Sequence, residues 1–192
     1  QLSMRPTVLS FLTLNLAYEC IWLFFSAEFF QKSPAHEIAR YQFTLSSVAS
    51  FVMTLFTLGY AWSIDQWGLE PSVRRFVGMF AFGLWDRTER VLHLVRDRLG
   101  IKPLYYGIVG GIAGNTFLFA SELKALRCHP DFRADIDRGA LSLYLRHNYI
   151  PAPYSIYRGI LKLSPGTILT AHLHNGSFRI AENIFWSVRS AV

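Results

Sequence analysis

Arg96-Asp97-Arg98-Leu99-Gly100-Ile101-Lys102-Pro103-Leu104-Tyr105-Tyr106 is the stretch on which the reading of this 192-residue chain turns. The apolar run that leads into it, Val91 to Arg96, predicts a strand. Gly100 takes a positive φ at low steric cost, which suits a tight turn. Pro103 stiffens the entry to a second strand without giving up a needed ladder donor. By residue type alone, Arg, Asp and Lys at the mouth of a turn predict an ion-paired corner on the surface.

The same texture of short segments extends outward on both sides. Phe76 to Trp85 is aromatic-rich and continuous enough to predict a strand buried on both faces. Asp86 to Arg90 reads as a polar turn, and Val91 to Val95 as its antiparallel partner. Pro103 to Ile108 gives a third strand. Gly107, Gly110, Gly111 and Gly114 then lead to Thr116–Ala120. Those glycines have the look of a phosphate loop, but no Gly-Lys-Ser/Thr follows and no helix opens, so the spacing predicts a hairpin.

Ser121 is placed to cap a short helix, and Pro130 ends that unit. Asp137 is placed to cap a longer amphipathic helix, Arg138 to Tyr149, with Leu141, Tyr144 and Leu145 at helical spacing. A loop holding Pro151 and Pro153 follows. The last pair is a hairpin, Thr167–His174 and Phe178–Ile180, joined through the favoured Asn175-Gly176 turn.

The first third differs. No charged residue occurs between Arg40 and Asp65, and the core of that run, Leu45 to Trp62, approaches the length of a membrane span. Thr7 to Phe30 is comparably apolar, but Glu19 and Glu28 make it a poor span. Three readings stay open for this region: a membrane segment through 41–64, a buried core, or a segment misjoined through a disrupted reading frame. The expected division is an apolar segment at 1–63 and a domain at 64–192.

Charge follows the same division. Residues 1–63 carry three basic and three acidic residues, so the net +6 arises from sixteen against ten in the remainder. The basic residues are scattered, which argues against a nucleic-acid footprint. Cys20 and Cys128 have neither metal nor redox spacing and read as inert buried thiols of a reducing compartment. The start at Gln1 suggests a fragment or a processed product.

Candidate chemistry is sparse. His172 and His174 alternate onto one strand face, but no third metal ligand sits nearby. Asn175-Gly176-Ser177 matches a glycosylation pattern and is better explained as turn chemistry. Glu122 with Asp97 could form an acid/base pair, with little support from spacing. The residues alone assign no catalytic, cofactor-binding or metal site.

Taken together, however, the motifs form an ordered series. It runs Gly78-Met-Phe-Ala-Phe-Gly-Leu-Trp-Asp86, then Val95 to Gly107, then Phe119-Ala-Ser-Glu-Leu-Lys-Ala-Leu126. Leu145 to Tyr157, Lys162-Leu-Ser-Pro-Gly166 and Phe185-Trp-Ser187 complete it. This series closely resembles the C-terminal half of the glutaminase domain of bacterial glutamine-hydrolysing asparagine synthetases, over roughly Ile64 to Ser187.

The resemblance implies an α+β, N-terminal-nucleophile type of sandwich, two stacked antiparallel sheets with flanking helices. In that family a terminal Cys attacks glutamine, its α-amino group acts as base, and an Asn and a Gly form the oxyanion hole. Ammonia then passes to a synthetase domain that uses ATP and Mg2+ to form asparagine. Little of this maps onto the present residues. Cys20 is not terminal, no Asn-Gly-Glu segment precedes Ile64, and the glutamine-binding Asp would fall near Phe56. No Ser-Gly-Gly-x-Asp-Ser loop occurs before Val192.

The expectation is therefore an incomplete, cytoplasmic scaffold that is inactive alone and does not bind glutamine. ATP and Mg2+ would belong to a missing synthetase domain. Phe76, Phe80 and Phe82 would be poorly covered. The alternative is a membrane-anchored, non-catalytic binding module.

Overall fold

Turn residues at short intervals divide the chain into strands too brief to bury much alone, so stability must come from stacking them in layers. The computed structural model describes residues 58–111, 114–174 and 176–190. Cys20, Phe56 and almost all of the apolar first third lie outside these. The chain divides into two compact units, with the boundary between Arg75 and Phe76.

In the first unit, residues 58–67 are helical. Gly68, at φ +83, breaks that helix and precedes α1 (Leu69–Val73). The buried Ser72 hydroxyl lies 2.8 Å from the Ser63 carbonyl and 2.6 Å from that of Gly68, tying α1 back to the preceding helix. Among the described residues, no helix is long and apolar enough to cross a membrane.

The second unit contains β1 (Ala81–Asp86), β2 (Val91–Arg96), β3 (Tyr105–Gly111), β4 (Gly114–Ala120) and α2 (Leu123–Leu126). It continues with α3 (Arg138–His147), β5 (Ile160–Lys162), β6 (Thr167–His174) and β7 (Ser177–Ile184). One sheet has the order β1-β2-β6-β7 and the other β4-β3-β5, and every pairing is antiparallel. The architecture is thus α+β with two antiparallel sheets.

Register determines which side chains meet between the sheets. Gly83, Leu94, Leu169 and Glu182 lie in one row across the first sheet. Leu94, Leu169 and Ala171 are buried against Leu104, Tyr106 and Leu163, with Ala81, Leu92 and Phe117 packed around them. A polar clasp crosses this core. The Tyr106 hydroxyl donates to Glu182 Oε1 at 2.7 Å, and burial, reinforced by Glu182, pushes the phenol pKa up. Tyr106→Phe removes only this bond and is expected to cost about 0.5–1.5 kcal/mol. Urea unfolding would read it as a lower midpoint with an unchanged slope.

Several expectations need correction. The expected Phe76–Trp85 strand begins only at Ala81, and no residue of β1 is fully buried, β1 being an edge strand among the described residues. Phe76 and Phe80 are nonetheless covered, at 8% and 7% exposure, with their rings edge to face. The third strand starts at Tyr105, two residues after Pro103.

Ser121 does not cap α2. Glu122 holds that position in extended conformation and makes no cap bond. Asp137 does cap α3, accepting from the Ala140 amide at 3.0 Å. That helix ends at His147, two residues before Tyr149, because Asn148 turns left-handed at φ +59. Both expected hairpins form, with Gly111 opposite Gly114 and His174 opposite Ser177.

Candidate functional site

The Arg96–Asp97 corner lies where β2 ends and the turn towards β3 begins. It is not an ion-paired surface feature. Arg96 is 5% exposed and Asp97 1%. Buried charges persist only where hydrogen bonds replace water. Asp97 Oδ1 accepts from the Ile101 amide at 3.0 Å, and Oδ2 from the Lys102 amide at 2.9 Å. Its own carbonyl accepts from the amides of Gly100 and Gly166, and its amide donates to the Phe80 carbonyl.

The Arg96 guanidinium donates to three carbonyls: Lys102 through Nε at 2.9 Å, Gly100 at 2.5 Å, and Leu163. Burial lowers its pKa, with Asp97 and Tyr105 opposing the shift. The planar fork suits several fixed acceptors better than an ammonium would.

Two glycines are required by this packing. Gly100 sits at φ +65, where a Cβ would come within 2.7 Å of the Pro165 ring. Gly166 sits at φ +62, where a Cβ would come within 2.2 Å of the Trp186 carbonyl. The Phe185 and Trp186 amides both donate to the Gly166 carbonyl. Three stretches far apart in sequence, 96–106, 162–166 and 185–187, therefore close on one another here. The surface reading failed because the types of Arg96 and Asp97 are silent about the 163–166 segment that covers them.

The other candidate groups do not assemble into a reaction centre. Asp97 spends both carboxylate oxygens on backbone amides, whereas Glu122 is exposed and pairs with Lys124 at 2.6 Å. That lysine's hydrogen bond and charge hold the Glu122 carboxyl below its usual pKa. His172 and His174 are both exposed on β6. Cys128 is exposed rather than buried, because it lies just beyond the short α2.

Among the described residues, no three His, Cys, Asp or Glu side chains gather as a metal site. The glycine-rich hairpin does not fit a nucleotide's phosphates either. The Asp131 carboxylate lies where a Gly111 Cβ would be, 2.1 Å from that position, so an anion already occupies the approach.

Two polar contacts had no signal in the sequence. Lys162 Nζ donates to the Ile150 carbonyl at 2.6 Å, anchoring the loop after α3. His93 Nδ1 lies 3.1 Å from Thr170 Oγ1 on the side of β2 opposite Leu94. Burial lowers the His93 pKa, Asp86 opposes the shift, and His172 adds to it.

The unfolded chain binds the His93 proton near 6.5, while the folded chain binds it only at lower pH. Stability is complete above that value and falls as pH drops through it. Denaturant midpoints should decline between pH 7.5 and 5.5, and His93→Gln should flatten part of that decline.

Comparison with known proteins agrees with this geometry. The family described as glutamine amidotransferase domain matches residues 60–186. Asparagine synthetase [glutamine-hydrolyzing] 3 of Bacillus subtilis is 39% identical over 102 residues, which is 53% of this chain and 16% of that protein. Asparagine synthetase [glutamine-hydrolyzing] 1 of the same organism is 35% identical over 101 residues, 53% of this chain and 15% of that protein. The matched region thus spans about a sixth of the length of these relatives. With two-thirds of its length matched, the two antiparallel sheets included, the chain belongs to the glutamine amidotransferase domain family.

Proposed function

We propose that this chain is a scaffold portion of the glutaminase domain of a cytoplasmic, glutamine-hydrolysing asparagine synthetase, built on the N-terminal-nucleophile sandwich. The reading rests above all on the closed Arg96–Asp97 corner. Its carboxylate and guanidinium hold the chain's own amides and carbonyls, so the motif joins strands rather than gripping substrate. On this reading the terminal Cys nucleophile and the oxyanion-hole Asn and Gly of the family have no counterpart in the chain. In the whole enzyme, glutamine nitrogen would amidate aspartate at the expense of ATP, and ATP and Mg2+ would sit in the synthetase portion.

The purified chain should release no glutamate from glutamine above the protein-free rate in a coupled assay. It should also show no saturable heat of glutamine binding. Sustained glutamate release would contradict the reading.

A further inference from the structure

Away from the Arg96–Asp97 corner, one strand face gathers imidazoles. Thr170, His172 and His174 alternate along β6 onto the face opposite the buried Leu169 and Ala171. Both histidines are exposed. Pairing places the charged groups around them. His172 lies opposite Arg179 on β7 and Val91 on β2, and Val91 in turn lies opposite Asp86 on β1. His174 lies opposite Ser177, and His93 opposite Thr170.

Residues two apart on a strand stand about 6.8 Å apart, and imidazole nitrogens hold a borderline divalent cation at about 2.0–2.1 Å. Two rings leaning together from such positions reach one ion. Because β6 runs between β2 and β7, the backbone beneath the pair is set before an ion arrives. We infer that His172 and His174 form a two-histidine chelate for a divalent cation of the Ni2+, Cu2+ and Zn2+ class. Imidazole suits these ions, whereas Mg2+ and Ca2+ prefer oxygen ligands. Among the described residues no third ligand joins the pair, so water completes the shell. Arg179 beside His172 repels the cation, and Asp86, beyond Val91, attracts it from farther away. This inference stands independently of the proposed function.

Calorimetric titration of the intact chain with Ni2+ tests it. In both His172→Ala and His174→Ala the tightest equivalent should weaken at least about tenfold, because the second ring closes on the ion intramolecularly. His147→Ala, on α3, should leave that equivalent unchanged. Arg179→Ser should tighten it, and Mg2+ should not compete for it. Circular dichroism checks that the variants fold. Histidines acting singly would behave differently: either substitution would remove one weak equivalent and leave the affinity of the other unchanged. That result would overturn the inference.

Zn2+ gives a readout that needs no variant. Followed by nuclear magnetic resonance, the ring signals of His172 and His174 should shift together, with one midpoint. Separate midpoints, or signals that do not move, would also overturn the inference. The ion should further raise the thermal midpoint of the unmodified chain more than that of either variant, since only the folded strand holds the rings side by side.

Discussion

Arg96→Ala should lower the folding free energy by about 3–5 kcal/mol, since three carbonyls lose a charged donor, each such bond contributes about 1.5–3 kcal/mol, and water recovers part of this at the two half-exposed bonds. Two losses combine. The carbonyls of Gly100, Lys102 and Leu163 lose their donor, and the favourable charge interaction between Arg96 and the buried Asp97 goes with it. Domains of this size are typically stable by about 5–15 kcal/mol, so the variant would sit near the limit of folding. Arg96→Lys should recover only part of the loss, because a compact ammonium cannot reproduce the planar fork. Guanidinium unfolding checks both variants, and a cost of Arg96→Ala below about 1 kcal/mol would mean water already reaches the corner.

Gly166→Ala should be nearly as damaging, at about 2–5 kcal/mol. A left-handed backbone costs a residue with Cβ about 1–2 kcal/mol, and forcing an added methyl into a packed site about 1–3 more. The new carbon would lie 2.2 Å from the Trp186 carbonyl, a backbone atom that cannot rotate away. Relief would displace the Phe185 and Trp186 amides from the Gly166 carbonyl, and Phe185 is fully buried. Thermal unfolding should therefore shift by many degrees, and the Trp186 fluorescence of the folded state should change with it. Gly176→Ala makes a control. That glycine also has a positive φ, +74, but a Cβ there meets nothing within 4 Å. It should cost only the backbone part.

The sequence made local structure readable and left tertiary enclosure hidden. Strands β2 and β6, the Asp137 cap and both hairpins were visible because each depends on residues a few positions apart, whereas β7, read as Phe178–Ile180, runs from Ser177 to Ile184. The boundary of β1 was not, since Phe76–Phe80 is as apolar as a strand and is buried without being one. The cap of α2 was misread because Ser121 has the right chemistry one residue too early.

The Arg96–Asp97 corner was misread for a deeper reason. Its burial depends on Leu163 and Gly166, more than sixty residues away, and no periodicity encodes that contact. The ordered motif series did carry the information in compressed form, since three of its members meet at this corner. Tyr106 and Glu182 left no trace at all. A tyrosine in a strand and a glutamate in an edge strand are ordinary until the two sheets are stacked.

The Arg96–Asp97 corner is a closed structural joint rather than an open binding site. Native-state hydrogen exchange of the Ile101, Lys102 and Gly166 amides tests it most directly. These amides bond to Asp97 inside the corner, so they should exchange only through global unfolding, with the same opening free energy as Leu94 and Leu169. Exchange as fast as in the exposed Asp86–Arg90 turn would mean the corner opens to solvent, and would contradict the account.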